Sequence, residues 1–177
     1  LGDSIEILPW FHLHFTENPG MAFGLSWGGA TGKIFLSLFR IAAIGGLLWY
    51  AIRLAKGGAH PFVLTTIALI FAGALGNVID SLLYGLLFDR GLVWSPEYEF
   101  WMAYEGVAQW GKGYSGPLLG NVVDMLYFPL WTGYLPNWLP FWGGDYFQFF
   151  RPIFNLADAY VSIGVVFWYF ASRRPEW

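Results

Sequence analysis

Three tetrapeptides in this 177-residue chain share one pattern, Asn-x-x-Asp: Asn77–Asp80, Asn121–Asp124 and Asn155–Asp158. The first two stand in the near-identical strings Gly-Asn-Val-Ile-Asp and Gly-Asn-Val-Val-Asp. On a helix, a spacing of three sets both side chains on one face, and the Asn amide can then orient its neighbouring carboxylate. Two carboxylates brought close together cannot both ionise easily, so one pKa rises and the pair shares a proton. One member then activates water as a general base while the other donates to a carbonyl oxygen. That is the chemistry of an aspartic protease. The bland alternative is a set of interfacial caps or salt-bridged structural carboxylates. Asp80 and Asp124 share one Gly-Asn-x-x-Asp context, so the motif alone does not say which of them does the chemistry.

Other chemistries have less support. His12 and His14 fall on one face of a strand, but no Asp, Glu or His joins them at useful spacing until Glu17, so no metal site is expected. The chain has no Cys, which excludes a thiolate metal site and a cysteine nucleophile. His60 reads as a solvated link residue. Arg40, two turns or so into an apolar stretch, either snorkels or pairs with a carboxylate or lipid phosphate.

The elements that must position these residues belong to a membrane. Hydrophobic residues make up 56% of the chain and charged ones 12%, about half the charge of an ordinary soluble domain. With no basic patch either, a nucleic-acid binder and a disordered chain are excluded. A spanning helix needs about 20 mostly apolar residues, and residues 34–54, 61–84 and 153–172 meet that need. Arg53, Lys56, Arg173 and Arg174 lie on one side of an up-down-up arrangement, which puts that side in the cytoplasm. Residues 1–33 and the long segment 86–152 then face outward. Asp80, Asp124 and Asp158 fall near the outer boundary, and no acid stands in the inner half of a span. Residues 5–15 partly alternate apolar and polar, as a half-buried strand does, and Asn18-Pro19-Gly20 is a turn signal. Residues 125–144 carry no charge but hold Pro129, Pro136, Pro140, Trp131, Trp138 and Trp142, which suits an interfacial or re-entrant segment. Nothing in residues 1–20 reads as a signal peptide.

Four strings, in order, resemble the lipoprotein signal peptidase family (signal peptidase II): Asn18-Pro-Gly-Met-Ala-Phe-Gly24, Gly76-Asn77-Val-Ile-Asp80, Val122-Val-Asp124 and Phe154-Asn155-Leu-Ala-Asp158, the last trailed by Ile163-Gly164. The resemblance implies a mainly α membrane protein, a transmembrane helix bundle with a small extracytoplasmic β-cradle and an interfacial arm. It implies one membrane domain over 1–177, with three spans here and four in the family, whose first helix precedes the segment that starts here. Asp124 and Asp158 match the catalytic dyad; order and the following Tyr127-Phe128-Pro129 favour Asp124 over Asp80. Asn18, Gly20, Phe23, Asn77, Asp80 and Asn155 match the residues that shape the site and bind substrate. The implied activity is cleavage of a diacylglyceryl-modified prolipoprotein just before its lipidated Cys, with no cofactor or metal and no nucleic acid. The implied setting is the bacterial inner membrane, with the chain a monomer among lipids and its site on the outer side. Two departures stand out. Ser81 occupies the place where the family usually has Arg, and residues 86–119 exceed the usual link. The rival expectation is a non-catalytic membrane binding or transport protein with the Asp residues as ion or proton ligands.

Overall fold

The computed structural model describes residues 4–20 and 29–174. Eleven elements follow in chain order: β1 (Ser4–Leu8), β2 (Phe11–Asn18), α1 (Gly29–Lys56), α2 (Pro61–Leu87), β3 (Val93–Ser95), β4 (Phe100–Met102), β5 (Val122–Tyr127), β6 (Trp131–Tyr134), β7 (Tyr146–Phe149), β8 (Ile153–Phe154) and α3 (Leu156–Ala171). They divide between two compact units. The helical unit holds α1, α2, β3, β4 and α3, and the other holds β1, β6, β7, β8 and most of β2 and β5.

In the helical unit, α1 and α2 are long and apolar enough to cross a membrane. Their 28 and 27 residues correspond to about 40 Å each at 1.5 Å per residue. α1 leaves Phe35, Phe39 and Trp49 60%, 63% and 61% exposed, a surface that only lipid or another apolar partner would cover. α1 stops in a Schellman turn: Gly58 takes φ +75°, while the N–H groups of Gly58 and Ala59 donate to the carbonyls of Ala55 and Leu54. A left-handed residue there favours glycine. α2 restarts at once, with Pro61 in its first turn and His60 Nδ1 accepting from the Phe62 N–H at 3.2 Å, so the residue expected as a solvated link is a helix cap.

α3 differs from expectation. The sequence reading runs a span from 153 to 172, whereas the helix has 16 residues from Leu156. Ile153 and Phe154 pair antiparallel with Tyr127 and Leu126 instead. Strand pairing takes the backbone groups that another helical turn would have used. α2 and α3 meet through small residues. A Cβ built on Gly73 would lie 2.2 Å from the Ala157 carbonyl oxygen, and one on Gly164 would lie 2.9 Å from that of Thr66. Such contacts let helix backbones approach where no hydrophobic effect drives them together.

The second unit is built on a sheet of order β1-β2-β5-β8. β1 and β2 form a hairpin in which Ser4 faces His14 and Glu6 faces His12, so the single strand expected over 5–15 is two strands turning at Pro9 and Trp10. The segment 125–144 becomes the end of β5, then β6, then a turn leading to β7, with Trp131 opposite Phe149. Trp10, Phe11 and Phe154 each stack on Phe128, their centroids 4.9–6.3 Å from its own.

The α2–α3 contact predicts a contrast between glycines. Gly73→Leu should cost about 2 kcal/mol or more, since an overpacked contact costs 1–3. Gly45→Leu should change stability by less than about 0.5 kcal/mol, because nothing lies within 4 Å of a Cβ at Gly45. Denaturant unfolding in detergent micelles measures both, and equal effects would show that the helices do not depend on this close approach.

Candidate active site

Only one of the three Asn-x-x-Asp motifs lies inside a helix. Asn77 and Asp80 are on α2, Asn121 precedes β5 with Asp124 on the strand, and Asn155 immediately precedes α3 with Asp158 in its first turn. In the helical unit, Asn77 Nδ2 donates to Asp158 Oδ1 at 3.0 Å. In the sheet unit, Asn155 Nδ2 donates to Asp124 Oδ1 at 2.8 Å, with Asp124 and Asn155 both buried. Asparagines of two motifs thus supply amides to carboxylates of other motifs.

Asp158 and Asn77 line a cavity of about 280 Å³ with Arg40, Ala74, Val161 and Ser162. The three helices of the unit thus bring a carboxylate, an amide and a guanidinium to one space. The turn at Asn18 adjoins α1 at the same place. Asn18 Oδ1 accepts from the Gly20 N–H at 2.9 Å, an Asx turn. Gly20 takes φ +97°, and a Cβ there would come within 2.9 Å of Leu36 Cδ2 and 3.8 Å of Arg40 Nη1. Both the backbone angle and the space call for glycine. Phe23 lies outside the described residues.

Asp80 has a different engagement, accepting from the Val123 N–H at 3.3 Å, so its carboxylate ties α2 to the start of β5. Ser81, where the resemblance leads one to expect Arg, is buried and donates to the carbonyl of Asn77 at 2.9 Å. Its hydroxyl is spent within its own helix.

One cluster escaped the sequence reading. Glu17, 5% exposed, accepts from the Leu92 N–H at 2.9 Å, from Asn121 Nδ2 at 2.6 Å and from the Tyr84 hydroxyl at 3.3 Å. Tyr104 also donates to it. Asn121 accepts in turn from Lys33 Nζ and donates to the Leu92 carbonyl at 3.1 Å. A buried carboxylate is tolerable only when donors surround it. Burial, reinforced by the bond to Glu17, pushes the Tyr104 phenol up from its ordinary pKa, which keeps it a donor. The cluster ties residues 92 and 104 of the long segment to the residue before Asn18. Its only sequence signal was a charged residue inside an apolar strand.

A family model described as signal peptidase (SPase) II matches residues 1–173. A lipoprotein signal peptidase of Porphyromonas gingivalis is 45% identical over 170 residues, covering 94% of this chain and 69% of its own length. Those of Amoebophilus asiaticus and Chlorobaculum parvum are 37% and 32% identical, covering 88% and 96% of this chain and 58% and 77% of their own. Among solved structures, two bacterial membrane enzymes determined by the in meso method, at 1.9 and 2.3 Å, superpose with TM-scores of 0.55 and 0.54. They are 25% and 24% identical and cover 99% and 97% of this chain, and 77% and 71% of their own.

The buried cluster yields a stability prediction. Glu17→Ala should cost about 3 kcal/mol or more, since hydrogen bonds to a charged group contribute about 1.5–3 kcal/mol each and their partners would be left buried. Glu17→Gln, which keeps an acceptor oxygen, should cost less. Unfolding of the two variants in micelles tests the order, and a Glu17→Ala protein as stable as wild type would refute it.

Proposed function

The chain belongs to the signal peptidase II family, proteases that remove the signal peptides of lipoproteins, and we propose that it cuts as an aspartic endopeptidase with Asp124 and Asp158 as its two working carboxylates. The observation that carries this reading is the exchange of amides. Asn155 holds one oxygen of Asp124 and Asn77 holds one oxygen of Asp158. An amide N–H that grips a carboxylate oxygen fixes the rotamer and so the direction in which the carboxyl group is presented. Asn155 also stands three residues before Asp158 in the chain. Asp80 is the weaker candidate because it accepts from a backbone amide, a structural task.

In the proposed reaction one carboxylate of the pair is ionised and the other protonated. The ionised member takes a proton from water as the water oxygen attacks the scissile carbonyl carbon. The protonated member gives its proton to the carbonyl oxygen, so the tetrahedral intermediate is a neutral diol. Its collapse returns the hydroxyl proton to one carboxylate, while the other protonates the departing amine. The C–N bond breaks, and both carboxylates recover their starting protonation. Asn18, Gly20, Phe23, Asn77, Asp80 and Asn155 shape the space for the substrate.

The substrate of this reading is a prolipoprotein whose Cys already carries diacylglycerol, cut just before that Cys. The apolar exposed faces of α1 suit a signal helix and acyl chains that arrive through lipid. The charge distribution supports a bacterial inner-membrane location with 1–33 and 86–152 outside and with 34–54, 61–84 and the helix 156–171 within the bilayer. The protein works as a monomer. Family membership leaves the transport alternative without support.

Asp124→Asn and Asp158→Asn should each lower cleavage of a diacylglyceryl-modified prolipoprotein by about 10²–10⁴-fold, with the unfolding midpoint in detergent nearly unchanged. Mass spectrometry of the released signal peptide measures the rate. Wild-type cleavage by either variant would remove that residue from the pair.

A further inference from the structure

Arg40 stands near the middle of the 28-residue α1, about 16 Å along the helix from Gly29 at 1.5 Å per residue. A guanidinium in hydrocarbon costs free energy, and such residues persist where they face a polar interior and do work there. Arg40 does face one. It lines the cavity shared by Asn77, Asp158 and Ser162, and the turn at Gly20 is in van der Waals reach of its Nη1, 3.8 Å from where a Cβ on that glycine would lie. A side chain that served only to reach the membrane surface would have no reason to line a cavity together with a carboxyl group and an amide.

The chemistry of the guanidinium narrows what it binds. It is planar, always charged, and carries five N–H donors in a fixed fork with no acceptor. Asp158 is already the acidic group of the cavity, so an uncharged oxygen acceptor suits the guanidinium there better than a second acid. A lipidated signal peptide brings two sets of such acceptors. One is the ester carbonyls of its diacylglyceryl group. The other is the last carbonyls of the signal helix, which lack intrahelical donors and are costly in an apolar surrounding.

We propose that Arg40 forms a carbonyl-binding subsite of the cavity, donating to uncharged carbonyl oxygens at the end of the lipidated substrate and so setting its depth against Asp158. The subsite rests on the reading that a diacylglyceryl prolipoprotein is the substrate. It assigns Arg40 to substrate recognition and gives it no part in proton transfer.

The test is steady-state cleavage of a diacylglyceryl-modified prolipoprotein by wild type, Arg40→Gln and Arg40→Lys, with a parallel binding titration of the labelled substrate. The titration uses Asp124→Asn protein with and without Arg40→Gln, so that binding is read without turnover. Arg40→Gln should raise KM and Kd by about 10- to 100-fold, the worth of hydrogen bonds to a charged donor, with kcat within about threefold. Arg40→Lys, which keeps the charge and loses the fork, should fall between. An ether-linked version of the substrate separates the two sources. If the effect of Arg40→Gln vanishes on the ether, the ester carbonyls are the ligands; if it persists, the peptide carbonyls are. Unchanged KM and Kd, or a loss confined to kcat, would overturn the proposal. If Arg40→Gln does not fold, Arg40→Lys decides: a KM raised about threefold or more supports the subsite, and an unchanged KM overturns it. Cleavage that survives in Asp124→Asn and Asp158→Asn would defeat the aspartic reading alone, since the Kd comparison would still report on Arg40.

Discussion

A polar side chain in an apolar setting must find a partner, and that requirement organises this molecule. The side-chain amide of asparagine meets it for three carboxylates. It has donors and an acceptor on a short stem, so it can hold a carboxylate without adding charge. Asn77 does this for Asp158, Asn155 for Asp124 and Asn121 for Glu17. Remove the amides, and three carboxylates would face apolar surroundings with fewer donors to satisfy them. The backbone is recruited to the same end: the Val123 N–H serves Asp80 and the Leu92 N–H serves Glu17.

The apolar character of the rest of the chain makes these few bonds decisive. Much of the surface of α1 and α3 is exposed aromatic and aliphatic side chain, so burial of apolar area within the chain does little to distinguish one helix arrangement from another. Close approach at Gly73 and Gly164, together with the Asn77–Asp158 bond on the same pair of helices, supplies the selectivity that a hydrophobic core gives a soluble protein. The polar residues proposed for the site and those that hold helices together are therefore partly the same residues. A change at Asn77 would disturb both.

Much of this was readable in the residues. Long uninterrupted apolar runs announce α1 and α2, because length and hydropathy are local properties. The site strings were readable because their spacing and order are local too. Who bonds to whom was not. Asn77 and Asp158 are 81 residues apart and Glu17 and Asn121 are 104 apart, and no window on the chain contains both partners. The start of α3 was misplaced for a related reason: Ile153 and Phe154 fit a helix by composition, and only pairing with β5 claims them as strand. Arg40 was visible as an anomaly, and its neighbours became known only once α1, α2 and α3 were set beside one another.

The link between α1 and α2 bears on how the protein is made. Four residues join the two helices, from a Schellman turn at Gly58 to the His60 cap and Pro61, so the pair leaves the ribosome as a ready helical hairpin. Asp158 is synthesised 81 residues after Asn77. At about 5–20 residues per second that is a delay of about 4–16 s. Through that interval Arg40 and Asn77 are in place while the carboxylate that will share their cavity has yet to be translated. The newborn hairpin therefore carries a guanidinium and an amide into the membrane ahead of their final companion. Water, lipid headgroups or the insertion machinery must solvate them in the meantime. Biogenesis, as much as catalysis, sets a limit on how polar this cavity can be.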